Sequence, residues 1–420
     1  MRSNILNINV LRYPKTICFI ILFAWISFFP QPIQDKYSTA LRMFLGIFLL
    51  VLVLDKKYRK HLFVFQDWPL WLFLISLSSG AVLAQNKEVA LKTYFQLFLT
   101  MFLLFYIGKA ILSSNKDVGW VNIVICVFSL LVALIGVLEL YFGKNILYEN
   151  FIDNPFYERY VRYYPRPMST QLNPAILGSF LLGCLPFSLY LIGSKRLSLR
   201  LLGFSSSLLC TGIIILSFSR GVFLGLIALV LFYLWRMRKT KLVSGLIFCL
   251  ILLMLVCSFQ KNPNLNRFGF QRSISGSYDS IFSEYRFNRV KMAFKIFKEH
   301  PLFGIGFNHF RIRFDEYAIW EDKGKTPYEF MIPDNMYLTF LAETGIIGTS
   351  GFLIFIYFLL KRGLGNLKEL KDEKKQMLLV SMSALLGLLV NMGAYELFYW
   401  ANPYMLFCLI CGFLQRLTLS

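Results

Sequence analysis

Long apolar runs, separated by short segments rich in Lys and Arg, alternate along most of this 420-residue chain. A helix that crosses a bilayer needs about 20 mostly apolar residues, and runs of that length are too long for buried strands. The pattern therefore predicts an all-α integral membrane protein, a single polytopic domain over residues 1–420, with about twelve transmembrane helices. Their approximate limits are 14–30, 38–54, 68–84, 91–112, 118–142, 172–193, 198–218, 221–235, 242–259, 334–360, 376–395 and 397–415.

Basic residues between the runs predict which side of the membrane each connection faces. Clusters of Lys and Arg fall in alternate connections, as at 56–60, 236–241 and 361–375, whereas the short connections between them hold few basic residues. Cytoplasmic loops carry the excess of Lys and Arg, so we expect a bacterial inner-membrane protein with both termini in the cytoplasm. No small-residue cleavage site follows the first run, so we expect it to be a retained anchor.

Two longer connections fall on the predicted outer side, at residues 143–171 and at residues 260–333. Long loops on a scaffold of packed helices are where function concentrates. We therefore expect the second, a large helical outer (periplasmic) loop between spans nine and ten, to carry much of the chemistry.

An amphipathic helix is predicted inside the larger loop. Ser283 is a candidate N-cap, the residues after it have helical periodicity, and Pro301 ends the run. Its apolar face is predicted to hold Val290, Phe294 and Phe297, with Phe287 and Met292 near the edges. We expect this helix to lie against the membrane surface or the helix bundle.

Composition and charge exclude several classes of protein. The chain is 57% hydrophobic and 16% charged with a mean hydropathy of +0.58, whereas about a quarter of a soluble domain is charged. The net charge of +21 lies in short loops rather than in a basic stripe with aromatic residues, which argues against nucleic-acid binding. All eight Cys lie in apolar runs and the three His are scattered, so we expect no disulfide framework, metal or cofactor.

Arginines at the predicted outer face are the first candidates for chemistry. Arg220 stands between two apolar runs with almost no loop around it, and Arg286 lies near the amino end of the amphipathic helix. Guanidinium groups at the positive end of a helix suit phosphate. The structural alternatives are a snorkelling anchor for Arg220 and a solvated helix face for Arg286.

Carboxylates near the ends of the apolar runs are the second set of candidates. Asp334 follows Pro333 and is predicted to cap a helix, where it is also placed to accept a proton from a hydroxyl group. Glu139 and Glu396 lie near other span ends. Because few ionisable groups lie deep in the predicted spans, an ion-coupled transporter is disfavoured.

A series of short motifs runs through the second half of the chain. Ser-Arg220-Gly at a membrane edge is followed by the Arg-led helix, His300-Pro-Leu-Phe-Gly-Ile-Gly306, Asp334-Asn-Met-Tyr-Leu338 and Glu343-Thr-Gly-Ile-Ile-Gly348. This order around one large outer loop, over about residues 198–360, resembles the O-antigen ligase and O-antigen polymerase superfamily. Upstream, Arg166-Pro-Met-Ser169-Thr170-Gln-Leu-Asn173 looks like the family's pattern of Arg, Gly-Thr and Asn, with Ser169 where glycine is usual.

The resemblance implies a metal-independent glycosyltransferase of lipopolysaccharide or other cell-surface polysaccharide biosynthesis. It implies that a glycan moves from an undecaprenyl pyrophosphate carrier to a hydroxyl of a glycan, lipid or protein acceptor at the outer leaflet. The residue roles that it implies are diphosphate binding by Arg220 and Arg286, base catalysis by Asp334, and further substrate contacts by Arg166, Arg289, His309 and Asn335. Ligases that attach O-antigen to lipid A core typically have His at the position of Asp334, so ligase and polymerase both stay open.

Two other classes of function remain as alternatives. One is a flippase or transporter of lipid-linked glycan or another solute, with the large loop as a gate, and the other is a structural membrane scaffold. In a transferase, Arg220, Arg286 and Asp334 are expected to converge on one cavity open to the outer leaflet. In a flippase, the charged cavity is expected to continue toward the cytoplasmic face.

Overall fold

Most of the described part of the chain is helical. A computed structural model describes residues 14–54, 62–149, 166–237, 279–318, 331–370 and 372–419. These ranges contain α-helices and short 3-10 turns and no β-strand. The predicted all-α fold class is therefore confirmed for the described part of the chain.

The α-helices within these ranges are numbered here in chain order. They are α1 (Pro14–Phe28), α2 (Gln31–Lys36), α3 (Ser38–Leu54), α4 (Trp68–Val82), α5 (Lys87–Ile111), α6 (Asn115–Phe142), α7 (Pro174–Ile192), α8 (Leu197–Leu216), α9 (Arg220–Arg236), α10 (Asp279–Glu299), α11 (His309–Ile312), α12 (Phe314–Tyr317), α13 (Met336–Glu369), α14 (Asp372–Met392) and α15 (Ala401–Thr418). The 3-10 turns are Phe65–Asp67, Ser169–Gln171 and Leu397–Tyr399.

The predicted membrane segments coincide with helices, except for segment 242–259, which lies outside the described residues. Six described helices are long and apolar enough to cross a membrane, namely α5, α6, α7, α8, α13 and α14. Helices α1 and α3 are apolar but shorter. The protein therefore has membrane-spanning helices, while the count of twelve stays a prediction.

The chain forms two compact units. The described part of the first unit is residues 14–36, 115–149, 166–237 and 372–391, with a short piece at 279–282. Its helices α6, α7 and α8 are joined by buried hydroxyl groups, since Ser206 Oγ lies 3.1 Å from Ser129 Oγ and 2.8 Å from Ser188 Oγ. Hydrogen bonds of this kind hold helices together where neighbouring lipid offers no partner.

The second unit comprises residues 37–54, 62–114, 283–318, 331–370 and 392–419 among those described. Within it α15 packs along α5, and α13 packs along α4, where the rings of Phe73 and Phe355 stack at 5.7 Å. A fully buried ion pair lies in the last turn of α5, where Lys109 Nζ is 2.6 Å from Asp67 Oδ2 and 2.7 Å from the carbonyl oxygen of Leu62. Such a pair is retained because each charge satisfies the other.

Helix α10 is the amphipathic helix predicted in the large loop, and its end before Pro301 is confirmed. The prediction that Ser283 caps it is wrong, because the helix is already formed at Asp279. The predicted apolar face is not the one that packs within the unit, since Phe294 is 46% exposed whereas Met292 is 4% exposed. The helix packs through the stripe that contains Met292, against aromatic residues of α11 and α12. Contact of the apolar face with the membrane surface stays a prediction.

Candidate functional site

Helix α10 is fixed by one apolar cluster in the second unit. Its buried stripe consists of Met292, Ala293 and Ile296, positions that share one helical face. The partners in this cluster are Ile305, Phe310, Phe314, Tyr317, Ala318 and Ala342. Because Ala342 belongs to α13, the cluster holds α10 against the first turns of α13.

Two arginines of α10 meet one carboxylate beside this cluster. Nε of Arg286 and Nη1 of Arg289 each lie 3.3 Å from Oδ2 of Asp334. The side chain of Arg286 is 55% exposed, whereas that of Arg289 is 6% exposed and that of Asp334 is 25% exposed. The structure thus brings three predicted site residues together and leaves Arg286 with donors that face solvent.

The backbone before α13 explains why Asp334 reaches the arginines. Asp334 has a φ of 52°, in the left-handed region, and Asn335 takes the N-cap position with its Oδ1 accepting from the N–H of Leu338 at 3.1 Å. The prediction that Asp334 caps the helix is therefore wrong. The side-chain amide of Asn335 also donates to the carbonyl of Gly393 at 2.8 Å, which ties the start of α13 to the segment after α14.

Two glycine-containing motifs, one at residues 300–306 and one at residues 343–348 of α13, bind each other through their main chains. Helix α13 is interrupted at Gly345, which has φ 60° and ψ −162°, so neighbouring main-chain groups lose their helical partners. Four hydrogen bonds to residues 301–306 replace them: Ile305 N–H to Ala342 O, Gly306 N–H to Glu343 O, Ile346 N–H to Pro301 O and Ile347 N–H to Leu302 O. The motifs are thus two halves of one packed structure.

Glycine is required on both sides of this contact. A Cβ at Gly304, where φ is 67°, would collide with the backbone of Glu343, and a Cβ at Gly345 would collide with the carbonyl of Leu302. The left-handed φ values alone would strain any larger residue. Close backbone approach therefore accounts for the glycines of both motifs.

Glu343 connects this contact to other segments of the second unit. It is 2% exposed, and Oε1 accepts the N–H of Phe310 at 3.0 Å while Oε2 accepts the hydroxyl of Tyr399. The hydroxyl oxygen of Tyr399 in turn accepts the N–H of Asn308 at 3.2 Å. One buried carboxylate therefore joins α13, the loop before α11 and the 3-10 turn before α15.

His309 is the first residue of α11, directly after this loop, and its ring is enclosed. The residue is 1% exposed, Nε2 accepts the N–H of Asn86 at 3.0 Å, and Nδ1 lies 2.8 Å from the carbonyl of Phe307, to which it donates. Burial lowers the pKa of His309 below its usual value of 6.5, so the ring is neutral at neutral pH. Both ring nitrogens bind main-chain groups, one at the start of α5 and one in the loop before α11, which is the arrangement of a structural histidine.

Glu396 is a second buried carboxyl group near the start of α13. It is 1% exposed, and its Oε1 lies 2.6 Å from the hydroxyl oxygen of Thr339. Burial, together with the nearby carboxylate of Asp334, raises the pKa of Glu396 to about 8. Across the described ranges, no group of three or more His, Cys, Asp or Glu is arranged to hold a metal ion.

The remaining predicted arginines lie in the first unit. Arg220 is the first residue of α9 and is exposed. The guanidinium carbon of Arg166 lies 5.8 Å from the ring centre of Phe218, two residues before Arg220, and Phe218 has a left-handed φ of 48°. The structure thus brings Arg166 to the turn that precedes Arg220, while the substrate contacts of both residues stay predictions.

A buried glutamate fixes the segment that carries Arg166. Oε2 of Glu139 accepts the N–H of Met168 at 2.9 Å and the N–H of Ser169 at 2.6 Å. Ser169 has a φ of 49°, the backbone conformation that glycine adopts most readily, and its hydroxyl donates to the carbonyl of Val132 at 2.7 Å. This explains physically how serine stands where the resembling family usually has glycine.

Comparison with known families agrees with the motifs. Residues 205–353 match the O-antigen ligase family. The resemblance to the O-antigen ligase and polymerase superfamily is therefore confirmed over this segment, which holds Arg220, Arg286, Arg289, His309 and Asp334. A comparison with curated proteins gives no match.

Sequence reasoning gave no function to several polar residues in and around the O-antigen ligase segment. Glu139 and Glu396 were noticed near span ends, and Tyr399 and Thr339 were not singled out. The available signal was an ionisable or hydroxyl group next to an apolar run, where an unpaired polar group is expensive. What the sequence could not supply was the partner of each group.

Proposed function

We propose that this protein is an O-antigen ligase or polymerase type of glycosyltransferase. Its donor is a glycan on an undecaprenyl pyrophosphate carrier, and its acceptor is a hydroxyl group at the outer leaflet of the bacterial inner membrane. The product belongs to a cell-surface polysaccharide. A membrane-embedded, helical protein with an O-antigen ligase segment is consistent with a lipid-linked substrate.

The observation that carries the proposal is the meeting of Arg286 and Arg289 on one oxygen of Asp334 within the matched segment. The exposed guanidinium of Arg286 can bind a diphosphate while Asp334 and Arg289 fix its position. Arg220 and Arg166 are proposed to bind phosphate as well. Preorganised cations at a leaving group contribute several kcal/mol to the rate because negative charge builds up there.

The proposed reaction is a direct displacement. The acceptor oxygen forms a bond to the anomeric carbon, the bond from that carbon to the diphosphate breaks, and the lipid diphosphate leaves with the electron pair. The hydroxyl proton passes to Oδ1 of Asp334, which is in no hydrogen bond with the described residues. His309 and Asn335 support this site through the loop and the N-cap that they hold.

Transfer in vitro with a synthetic lipid-diphosphate glycan tests the proposal. We expect Arg286→Ala to lose roughly two to three orders of magnitude in rate. Lys291→Ala is the matched control, because Lys291 is an exposed cation of the same helix, and it is expected to stay near the wild-type rate. If the wild type transfers glycan and Arg286→Ala transfers it at the same rate, Arg286 does not bind the diphosphate as proposed.

The same assay separates ligase, polymerase and flippase. A ladder of products from the donor alone indicates a polymerase, whereas dependence on an added acceptor indicates a ligase. Movement of the lipid-linked glycan across vesicles without any new glycosidic bond would instead support the flippase alternative. Each outcome is read from the same purified protein.

A further inference from the structure

Glu396 differs from Asp334 in its partners. Among the described residues Glu396 forms no ion pair, whereas Asp334 binds two guanidinium groups. Oε1 of Glu396 contacts Thr339, and Oε2 is buried without a hydrogen-bond partner among the described residues. A carboxylate in such a place is strongly disfavoured relative to the neutral acid.

The contact with Thr339 lies in the first turns of α13. The Thr339 hydroxyl is 2.6 Å from Glu396 Oε1 and 3.0 Å from the carbonyl of Asn335, the residue that caps the helix. A hydroxyl group has one hydrogen, and a carbonyl can only accept. When Thr339 donates to Asn335, a neutral Glu396 supplies the hydrogen for the other contact.

The segment that carries Glu396 is attached to the same turn a second time. The side chain of Asn335 donates to the carbonyl of Gly393, three residues before Glu396. Asn335 directly follows Asp334, the residue on which the two arginines of α10 meet. The Gly393–Glu396 segment therefore supports the turn that sets the position of Asp334.

We infer that Glu396, in its neutral form, is a positioning residue for the proposed diphosphate clamp, holding the Asp334–Thr339 turn so that Arg286 and Arg289 share one carboxylate oxygen. The inference rests on the proposed function. When Glu396 ionises, a buried negative charge arises near Asp334. This charge competes with Asp334 for Arg286 and Arg289 and loosens the Asp334–Thr339 turn.

The charged and titratable groups that act on Glu396 come from each neighbouring element. Asp334 before α13 and Glu343 within it repel a negative charge, whereas Arg311 of α11 attracts one. Tyr399 in the adjacent 3-10 turn also interacts electrostatically with Glu396. Burial outweighs the arginine, which agrees with a pKa of about 8 for Glu396.

The test measures transfer by purified protein in lipid nanodiscs between about pH 6 and about pH 9. We expect Glu396→Ala to lose about tenfold in rate, the effect of one or two lost buried hydrogen bonds. We expect Glu396→Gln to restore most of that rate, because the amide reproduces the neutral acid. The wild type should lose rate with a midpoint near pH 8, and Glu396→Gln should not show that loss.

Glu88→Gln is the matched control, since Glu88 is an exposed glutamate in the same unit, and it should keep the wild-type pH profile. The inference is overturned if Glu396→Gln is folded but as inactive as Glu396→Ala at neutral pH, because an ionised carboxylate would then be needed. It is also overturned if Glu396→Gln keeps the alkaline loss of rate.

Two measurements without substrate separate this inference from the proposed function. The infrared band of a protonated carboxyl group should be present in the wild type at neutral pH and reduced in Glu396→Gln. The folded pKa of Glu396 is above the usual value of 4.5, so wild-type stability should fall more than that of Glu396→Gln as the pH rises from about 4.5 to about 8. If both results hold while the wild type transfers no glycan at any pH, the proposed function fails and the neutral state of Glu396 stands.

Discussion

Arg289 and Asp334 form an ion pair in which the arginine is almost fully enclosed, with 6% of its side chain exposed. Arg286 reaches the same carboxylate oxygen from a half-exposed position one turn earlier on α10. The two arginines are therefore not equivalent, although they are three residues apart and face one acceptor. Arg289 holds the carboxylate from an enclosed position, and Arg286 keeps donors that face solvent.

The first prediction separates these two roles by mutation. We expect Arg289→Ala to lower the free energy of unfolding by about 1–3 kcal/mol, because the enclosed pair and its packing are lost. We expect Arg286→Ala to lower it by less than about 1 kcal/mol, as for an exposed pair. Thermal unfolding in detergent measures both. Equal destabilisation by the two variants would contradict the division of roles.

A second prediction concerns the interruption of α13. Gly345→Ala should destabilise the protein by about 1–3 kcal/mol, because an alanine is strained at φ 60° and its Cβ meets the carbonyl of Leu302. Gly365 is the matched control, since it lies in the same helix and a Cβ there meets nothing within 4 Å. Gly365→Ala should be neutral or stabilising by up to about 1 kcal/mol. Melting temperatures of both variants decide the matter.

The pH dependence of stability tests the enclosed state of His309. Because the folded pKa is below 6.5, the unfolded chain takes up a proton first as the pH falls. The stability contributed by the neutral ring is therefore fully present above about pH 6.5 and is lost on acidification through the folded pKa. We expect the melting temperature of the wild type to fall more steeply below pH 6.5 than that of His309→Gln. Parallel curves would show that the ring titrates normally.

The aromatic support under Arg166 yields a prediction about donor binding. Phe218→Leu keeps an apolar side chain but removes the ring that lies 5.8 Å from the guanidinium carbon of Arg166. A cation–π contact contributes about 0.5–1 kcal/mol at an exposed site, so donor affinity should weaken about two- to fivefold. Phe204→Leu, an exposed phenylalanine of α8, is the control. Unchanged donor affinity in Phe218→Leu would argue against a role for the pair.

The sequence predicts the helices well because hydrophobic length is a local property. Helices α3 and α6, for example, coincide with the predicted segments 38–54 and 118–142 to within a few residues. The face of α10 was predicted less well, because its buried stripe depends on aromatic residues of α11 and α12 that lie beyond Pro301. Periodicity identifies a helix and its apolar positions, but the residues that pack against the helix decide which of those positions are buried.

The candidate site shows a similar limit. Arg286 and Asp334 could be selected from the sequence because each lies near the start of a predicted helix, and Arg289 because of the resemblance to the family. Their meeting on one oxygen could not, because it depends on the left-handed backbone of Asp334. The sequence also could not tell which residue caps α13, because Asp and Asn are both good N-caps and the two stand side by side. In the structure Asn335 is the cap.

The break at Gly345 leaves both parts of α13 attached to one short segment, since Ala342 and Glu343 before the break and Ile346 and Ile347 after it bond residues 301–306. The direction of each part is therefore set by the same six residues. A change of length between Pro301 and Gly306 would be felt along the whole helix, including the carboxylate that stands just before it.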